Sequence, residues 1–187
     1  MWWCDRTALP RLIRLAVALA IAGTAAACFQ PLYGERTLAS GSPLRDTLAA
    51  VEVAQIEAPL GSPLARIAVE TRNELIFDLT GGSGAAPYTH KLVVRLQPTT
   101  AILIVDPTSQ RNEYENFGLN ANYTMVEIAT GRPVVTGFAT TRVTYTVPGL
   151  QQRFTKLRAA RDAETRAAKL IADQIRTRLA SYFVAGT

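Results

Sequence analysis

Cysteine and histidine are almost missing from this sequence. Cys4 and Cys28 are the only cysteines, and His90 is the only histidine, in 187 residues. Zinc sites draw on clusters of those two residue types, so no metal site is expected. Ser-His-Asp chemistry would have to use His90, and no nucleophile-elbow motif accompanies it. His90 stands beside Lys91 near the start of a predicted strand and reads as a surface or interface side chain. Gly81-Gly82-Ser83-Gly84 follows a predicted helix rather than a strand. It is therefore a helix stop and not a phosphate-binding loop of the strand-loop-helix kind. With no cofactor motif either, the chain is not expected to be an enzyme. Internal repeats and heptad arrays are absent as well.

Long apolar runs are also lacking. The longest uncharged apolar stretch near the N-terminus, Leu15 to Ala27, has 13 residues. A membrane-spanning helix needs roughly 20, so this stretch is too short to remain as an anchor. Arg6, Arg11 and Arg14 precede it, with Asp5 the only acid. A basic start, a short apolar core and small residues Ala25-Ala26-Ala27 together predict a signal peptide over residues 1–27. Cys28 follows at once, and the sequence around it resembles the bacterial lipobox, although leucine is commoner where Ala25 stands. Cys28 is thus the expected site of lipidation and the first residue of the mature chain. No stop-transfer segment follows.

Without the leader, 160 of the 187 residues remain, enough for one domain burying about 68–70% of its unfolded surface. Loss of three arginines and one aspartate leaves 17 basic and 14 acidic residues, a net charge of +3. Cys4 leaves too, so no intrachain disulfide can form and the core must hold the fold. Export from the cytoplasm makes nucleic acid a poor partner.

The mature chain begins with a segment rich in Gly, Pro and Ser, residues 28–49, expected to be a lipid-anchored tether. A domain over residues 50–187 should follow. Ala50–Ala58 alternates around Val51, Val53 and Ile56 and predicts a first strand. Ser62-Pro63 predicts a helix start, and Leu64, Ile67, Ala68, Thr71, Leu75 and Leu79 its apolar stripe, with Gly81-Gly82 as the stop. Three strands are expected at Tyr88–Val105, Phe117–Ile128 and Val134–Val147. Pro98 implies an edge position or a bulge in the first of them. Asp106–Glu113 should be a hairpin tip and Ala129–Arg132 a short turn. A last helix is predicted from Thr155 to Phe183, with Leu157, Ala160, Ala163, Ala167, Leu170, Ile171, Ile175, Leu179 and Tyr182 on its apolar side.

The order β-α-β-β-β-α predicts an α+β two-layer sandwich, a four-stranded, mostly antiparallel sheet with two helices on one face. The last helix, ~42 Å at 1.5 Å per residue, matches the ~40 Å of the longest strand reading. Basic residues crowd the last quarter of the chain: Arg153, Lys156, Arg158, Arg161, Arg166, Lys169, Arg176 and Arg178. Interleaved with Asp162, Glu164 and Asp173, most read as a solvated helix face. Lys156 and Arg158 stand out, because the helix dipole disfavours a cation in the first turn by ~0.3–1 kcal/mol. Arg111 is expected at the exposed hairpin tip, and its charge and that of Lys156 are expected to be removable at little cost to folding.

Several of these pieces together resemble the LPS-assembly lipoproteins of the LptE family. They are the lipobox running into Cys28-Phe29-Gln30-Pro31-Leu32-Tyr33-Gly34, the Tyr123-x-x-Val126 segment, the Thr130-Gly131 hairpin, and the last helix from Asp162 to Phe183. The resemblance implies two partners, lipopolysaccharide and the outer-membrane β-barrel that inserts it into the outer leaflet. It also implies that the domain plugs and helps assemble that barrel. It places Arg111 and Lys156 near basic residues implicated in lipopolysaccharide binding. Phe29 after Cys28 implies retention at the outer membrane, on its periplasmic side. The competing expectation is an auxiliary lipoprotein of a phospholipid or solute transport complex.

Overall fold

The computed structural model describes residues 43–82, 87–105, 112–146 and 153–185. The chain divides into two compact units, Met1–Gly34 and Glu35–Thr187. The first lies outside the described residues, and with it the predicted signal peptide and Cys28. The second contains α1 (Leu44–Ala49), β1 (Val51–Val53), α2 (Pro63–Thr80), β2 (His90–Val105), β3 (Asn112–Glu127), β4 (Pro133–Thr146) and α3 (Arg153–Ala185).

The strands form one sheet in the order β1-β2-β3-β4. β1 runs parallel to β2, and the other neighbours are antiparallel. This is the expected α+β sandwich with one helix more than expected. Leu44 to Ala49, read from sequence as the end of a tether, forms α1 and buries Leu44, Leu48 and Ala49. Six residues are fewer than two helical turns, too few for apolar spacing to register.

Alternation along the strands decides which face is covered. Leu92, Val94 and Leu96 of β2, Phe117 through Met125 at every second position of β3, and Val135, Ala139, Val143 and Tyr145 of β4 are buried. Register brings them into rows, such as Leu92 against Met125 and Ala121 against Ala139. The helices pack on this face with Leu75 and Leu79 of α2 and Ile171, Ile175 and Leu179 of α3. Each fully buried side chain of this size contributes about 1.5–3 kcal/mol relative to exposure. No described helix packs on the opposite sheet face.

The helix ends follow local chemistry. Ser62 Oγ accepts from the Ala65 amide at 3.2 Å, and Pro63 occupies the first turn. Gly81 ends α2 at φ 62°, where its amide donates to the Phe77 carbonyl at 2.8 Å. A side chain there would meet the left-handed penalty. On α3 the buried line is Ala163, Ala167, Ala168, Ile171, Ala172, Ile175, Leu179 and Ala180. Leu157 and Leu170 fall off it and are 55% and 46% exposed. Small residues fill much of the line, letting helix and sheet approach closely.

β1 is shorter than the predicted strand. It pairs with β2 only at His90, Lys91 and Leu92. Beyond Leu92 no described strand flanks β2 on that side, which accounts for Pro98, since none of the described strands there needs its missing amide. The register shifts in β2 come later, around Ile104.

Candidate functional site at one end of the sandwich

Lys156 lies four positions into the helix, near the end of the first turn of α3. Its Nζ stands 3.0 Å from Glu115 Oε1. The other oxygen of Glu115 accepts a 2.6 Å hydrogen bond from the Tyr145 hydroxyl. The three residues come from α3, β3 and β4, and the strand register sets Glu115 directly beside Tyr145. Glu115 is buried on the inward parity of β3, the parity of Phe117 and Leu119. A buried carboxylate needs a counter-charge or hydrogen bonds, and Lys156 and Tyr145 supply both. Desolvation by burial, with the hydrogen bond to Glu115, pushes the Tyr145 hydroxyl well above its ordinary pKa.

This arrangement corrects one expectation. Lys156 is exposed on its outer side, as expected, but its charge is not removable at little cost, because it balances Glu115. The cation that the helix dipole disfavours is held by a carboxylate from the sheet. Sequence reasoning missed Glu115 and Tyr145. The predicted third strand began at Phe117, two residues too late to place Glu115 on the buried face.

Apolar side chains are exposed around the same end. Phe154, two residues before Lys156 in α3, is 83% exposed, and Ile102, opposite Glu115 in the register, is 56% exposed. An open cleft of about 400 Å³ lies between β4 and α3, lined by Thr144, Tyr145 and Thr146 of β4 and Thr155, Ala159, Asp162 and Arg166 of α3. Arg166 Nε pairs with Asp162 Oδ2 at 2.8 Å on its wall. Cations that keep an exposed edge, beside exposed apolar groups, can take an amphiphile with anionic head and hydrocarbon tail. Arg111 lies between the described ends of β2 and β3, outside the described residues. The structure therefore brings Lys156 into a site and leaves Arg111 and Cys28 untested.

Most other described cations of α3 fit the solvated-face expectation, although Arg176 is half-buried. Lys169 pairs with Glu74 at 3.6 Å, and Arg66 of α2 pairs with Glu164, tying the two helices together. His90 is far from this site in the strand, at the other end of β2. It packs edge-on against Phe183 with ring centroids 5.3 Å apart. Among the described residues no cluster of three or more His, Cys, Asp or Glu side chains could hold a metal ion. Nor is any described helix long and apolar enough to cross a membrane.

Solved structures share this architecture. A lipoprotein from Caulobacter crescentus CB15 superposes with a TM-score of 0.59 at 19% identity, covering 77% of this chain and 97% of that one. The rare lipoprotein B from Shewanella oneidensis gives a TM-score of 0.50 at 16% identity, covering 72% of this chain and 96% of that one. Comparison with curated proteins returned no match. The class defined by the fold is thus the α+β sandwich of these bacterial lipoproteins. The profile of the Lipopolysaccharide-assembly family, LptE, matches residues 48–179, and the chain belongs to that family. Membership carries a general role in lipopolysaccharide assembly, in a family of non-enzymatic lipoproteins.

Proposed function

We propose that this protein is an outer-membrane lipoprotein that plugs the lipopolysaccharide-inserting β-barrel, assists its assembly, and binds lipopolysaccharide during transfer to the outer leaflet. A diacylglyceryl group on Cys28 tethers it to the periplasmic side of the outer membrane. The domain performs no catalysis. It offers Lys156, together with Arg111 of the segment between β2 and β3, to the phosphates of the lipopolysaccharide head group. The observation that carries the reading is the family match over residues 48–179, which spans the strands and helix that build the Lys156 site.

Glu115 and Tyr145 give Lys156 a fixed place, so its ammonium is presented rather than left to wander on a flexible stem. Phosphate contacts of this kind contribute roughly 1.5–3 kcal/mol each. The test is to measure lipopolysaccharide binding to Arg111→Gln, Lys156→Gln and the double variant. Binding should weaken about tenfold or more in the double variant, and raised salt should weaken it in the native chain. Unchanged affinity in a folded double variant rules out this head-group site. Co-purification separates the broader readings: a stable complex with an outer-membrane barrel supports the plug, while a complex only with inner-membrane transporter subunits supports an auxiliary transport lipoprotein.

A further inference from the structure

Pairing fixes which backbone groups of a strand bond inward and which are left over. In the β2–β3 ladder the Ile128 amide donates to the Thr89 carbonyl at 2.9 Å, in line with the register that sets Leu92 on Met125. Bonded pairs alternate with unbonded ones along such a ladder. The bonds between β2 and β3 therefore fall at Lys91, Val93 and Arg95 and at their partners Val126, Thr124 and Asn122. The other parity of β3, Tyr123 back to Glu115, bonds to β4 at Gly137, Ala139, Thr141, Val143 and Tyr145. That leaves the N–H and C=O groups of Thr140, Arg142, Thr144 and Thr146 turned to the outer side of β4. β4 is the last strand of the sheet, so no described strand receives them.

The two edges of the sheet are protected differently. On β2 the Leu92 carbonyl accepts from the Ala54 amide at 2.9 Å, so Leu92, Val94, Leu96 and Pro98 face outward there. β1 covers the first of these, and Pro98 has no N–H to offer. Open edges are commonly blunted in this way, by proline, lysine or a bulge. β4 has neither proline nor lysine from Val134 to Thr146, and its register shift lies at the opposite end, beside Val126. Its cover is a helix. At Thr140 the Gln174 side chain of α3 donates to the outward carbonyl at 3.2 Å and closes the edge. Thr144 lies ~13 Å further along the strand. There the cleft of about 400 Å³ stands between the edge and Ala159, Asp162 and Arg166 of α3. A groove between a free strand edge and the flank of a helix is a seat for an extended peptide that adds a strand to a sheet.

We propose that the groove between β4 and α3 binds an extended segment of a protein partner as a fifth strand of the sheet. The partner's main chain bonds to the outward groups of Arg142, Thr144 and Thr146. Side chains of an added strand alternate between the two faces of the sheet. Those that turn toward α3 are apolar, because they meet Ala159 and Tyr145 in the cleft. The one beside Arg142 is a carboxylate. Arg142 is exposed, its row holds Gly118 and Thr99 and no acid, and a guanidinium favours a carboxylate. A hydrocarbon tail would fill the cleft but carries no donors or acceptors for the ladder, so the edge selects a peptide. The proposal goes beyond the lipopolysaccharide reading and does not depend on it.

The test uses the full-length chain in its own cell envelope, with a photo-crosslinking residue at Thr144 or at Thr146 and the captured positions read by peptide sequencing. Both sites should mark a single segment, at residues two apart, which is the step of a paired strand. Thr144→Pro removes an outward amide and leaves every bond to β3 in place. In that variant the crosslink from Thr146 should fall at least tenfold, while the thermal transition moves by no more than a few degrees. Arg142→Glu should lower the crosslink about tenfold as well, which keeps the test decisive if the proline variant folds poorly. The captured segment, synthesised as a free peptide, should slow hydrogen exchange at the Thr144 and Thr146 amides. Crosslinks to lipid alone overturn the proposal in favour of a lipid-filled cleft. Protein crosslinks without the two-residue step, or unchanged in both variants, overturn it in favour of an ordinary surface contact. No crosslink from either position overturns it outright.

Discussion

At position 115 a carboxylate sits where β3 would otherwise place an apolar side chain, and its two neighbours explain how the fold tolerates it. Hydrogen bonds to charged groups contribute about 1.5–3 kcal/mol, and half of Lys156 remains in water, so the lower figure applies. Lys156→Ala should therefore lower stability by about 1–2 kcal/mol, a fall of roughly 2–8 °C in the thermal transition. Glu115→Gln in the same chain should restore part of that loss, because no buried charge is then stranded. Calorimetry of the two single variants and the double variant checks this. Simple additivity would mean that the pair is not coupled. Tyr145 adds a pH dependence. Its folded pKa is raised above the unfolded value, so it stabilises fully below about pH 10 and loses that contribution as pH rises beyond it. Tyr145→Phe should accordingly flatten the alkaline fall of the melting temperature above about pH 10. At the other end of β2 the sign reverses. Burial depresses the His90 pKa, so its contribution is full above about pH 6.5 and is lost as pH falls. In His90→Phe the acid-side slope just below about pH 6.5 should shrink. An unaltered slope assigns it to the carboxylates instead.

Among the elements, those with sustained periodicity could be read from the sequence. Leu92, Val94 and Leu96 alternate, as do Leu119, Ala121, Tyr123 and Met125, and every one is buried. Ser62-Pro63 and Gly81 bracket α2 as capping chemistry requires. What escaped was short or non-periodic. β1 keeps three residues, because Ile56 is buried by packing rather than by pairing. Ala168 and Ala172 each follow a residue of the predicted stripe, Ala167 and Ile171, so the buried face of α3 is wider than the predicted stripe. Glu115 could be seen only once β3 was extended two residues upstream. Two glycines in the strands test the packing. A Cβ at Gly137 would overlap the hydroxyl and ring of Tyr123, which is buried and cannot swing away. At Gly118 the collision is with the Thr99 hydroxyl, on an exposed side chain that can rotate. Gly137→Ala should cost about 1–3 kcal/mol, and Gly118→Ala clearly less. Urea titration of both variants measures the difference, and equal losses would contradict this account of the β3–β4 packing.

At the scale of the sandwich, a sheet face covered by helices is combined with a face that exposes Lys91, Arg95 and Arg142, and with an end where Lys156 and exposed apolar groups are found. With a net charge of +5 over 187 residues, its electrostatics depend on where the cations sit rather than on their number. An acylated Cys28 would add the hold on the membrane, at ~0.8 kcal/mol per buried CH₂ with two or more chains for stable anchoring. Labelling with a palmitate analogue should mark the native chain, and Cys28→Ser should release an unlabelled protein from the membrane. The central claim is that the protein is needed to build and serve the barrel that inserts lipopolysaccharide. Its most direct test is depletion, followed by the amount of folded barrel and the amount of newly made lipopolysaccharide reaching the cell surface. The account predicts that both fall together and that both recover on re-expression of the native chain. Normal levels of folded barrel and of surface lipopolysaccharide after complete depletion would contradict it.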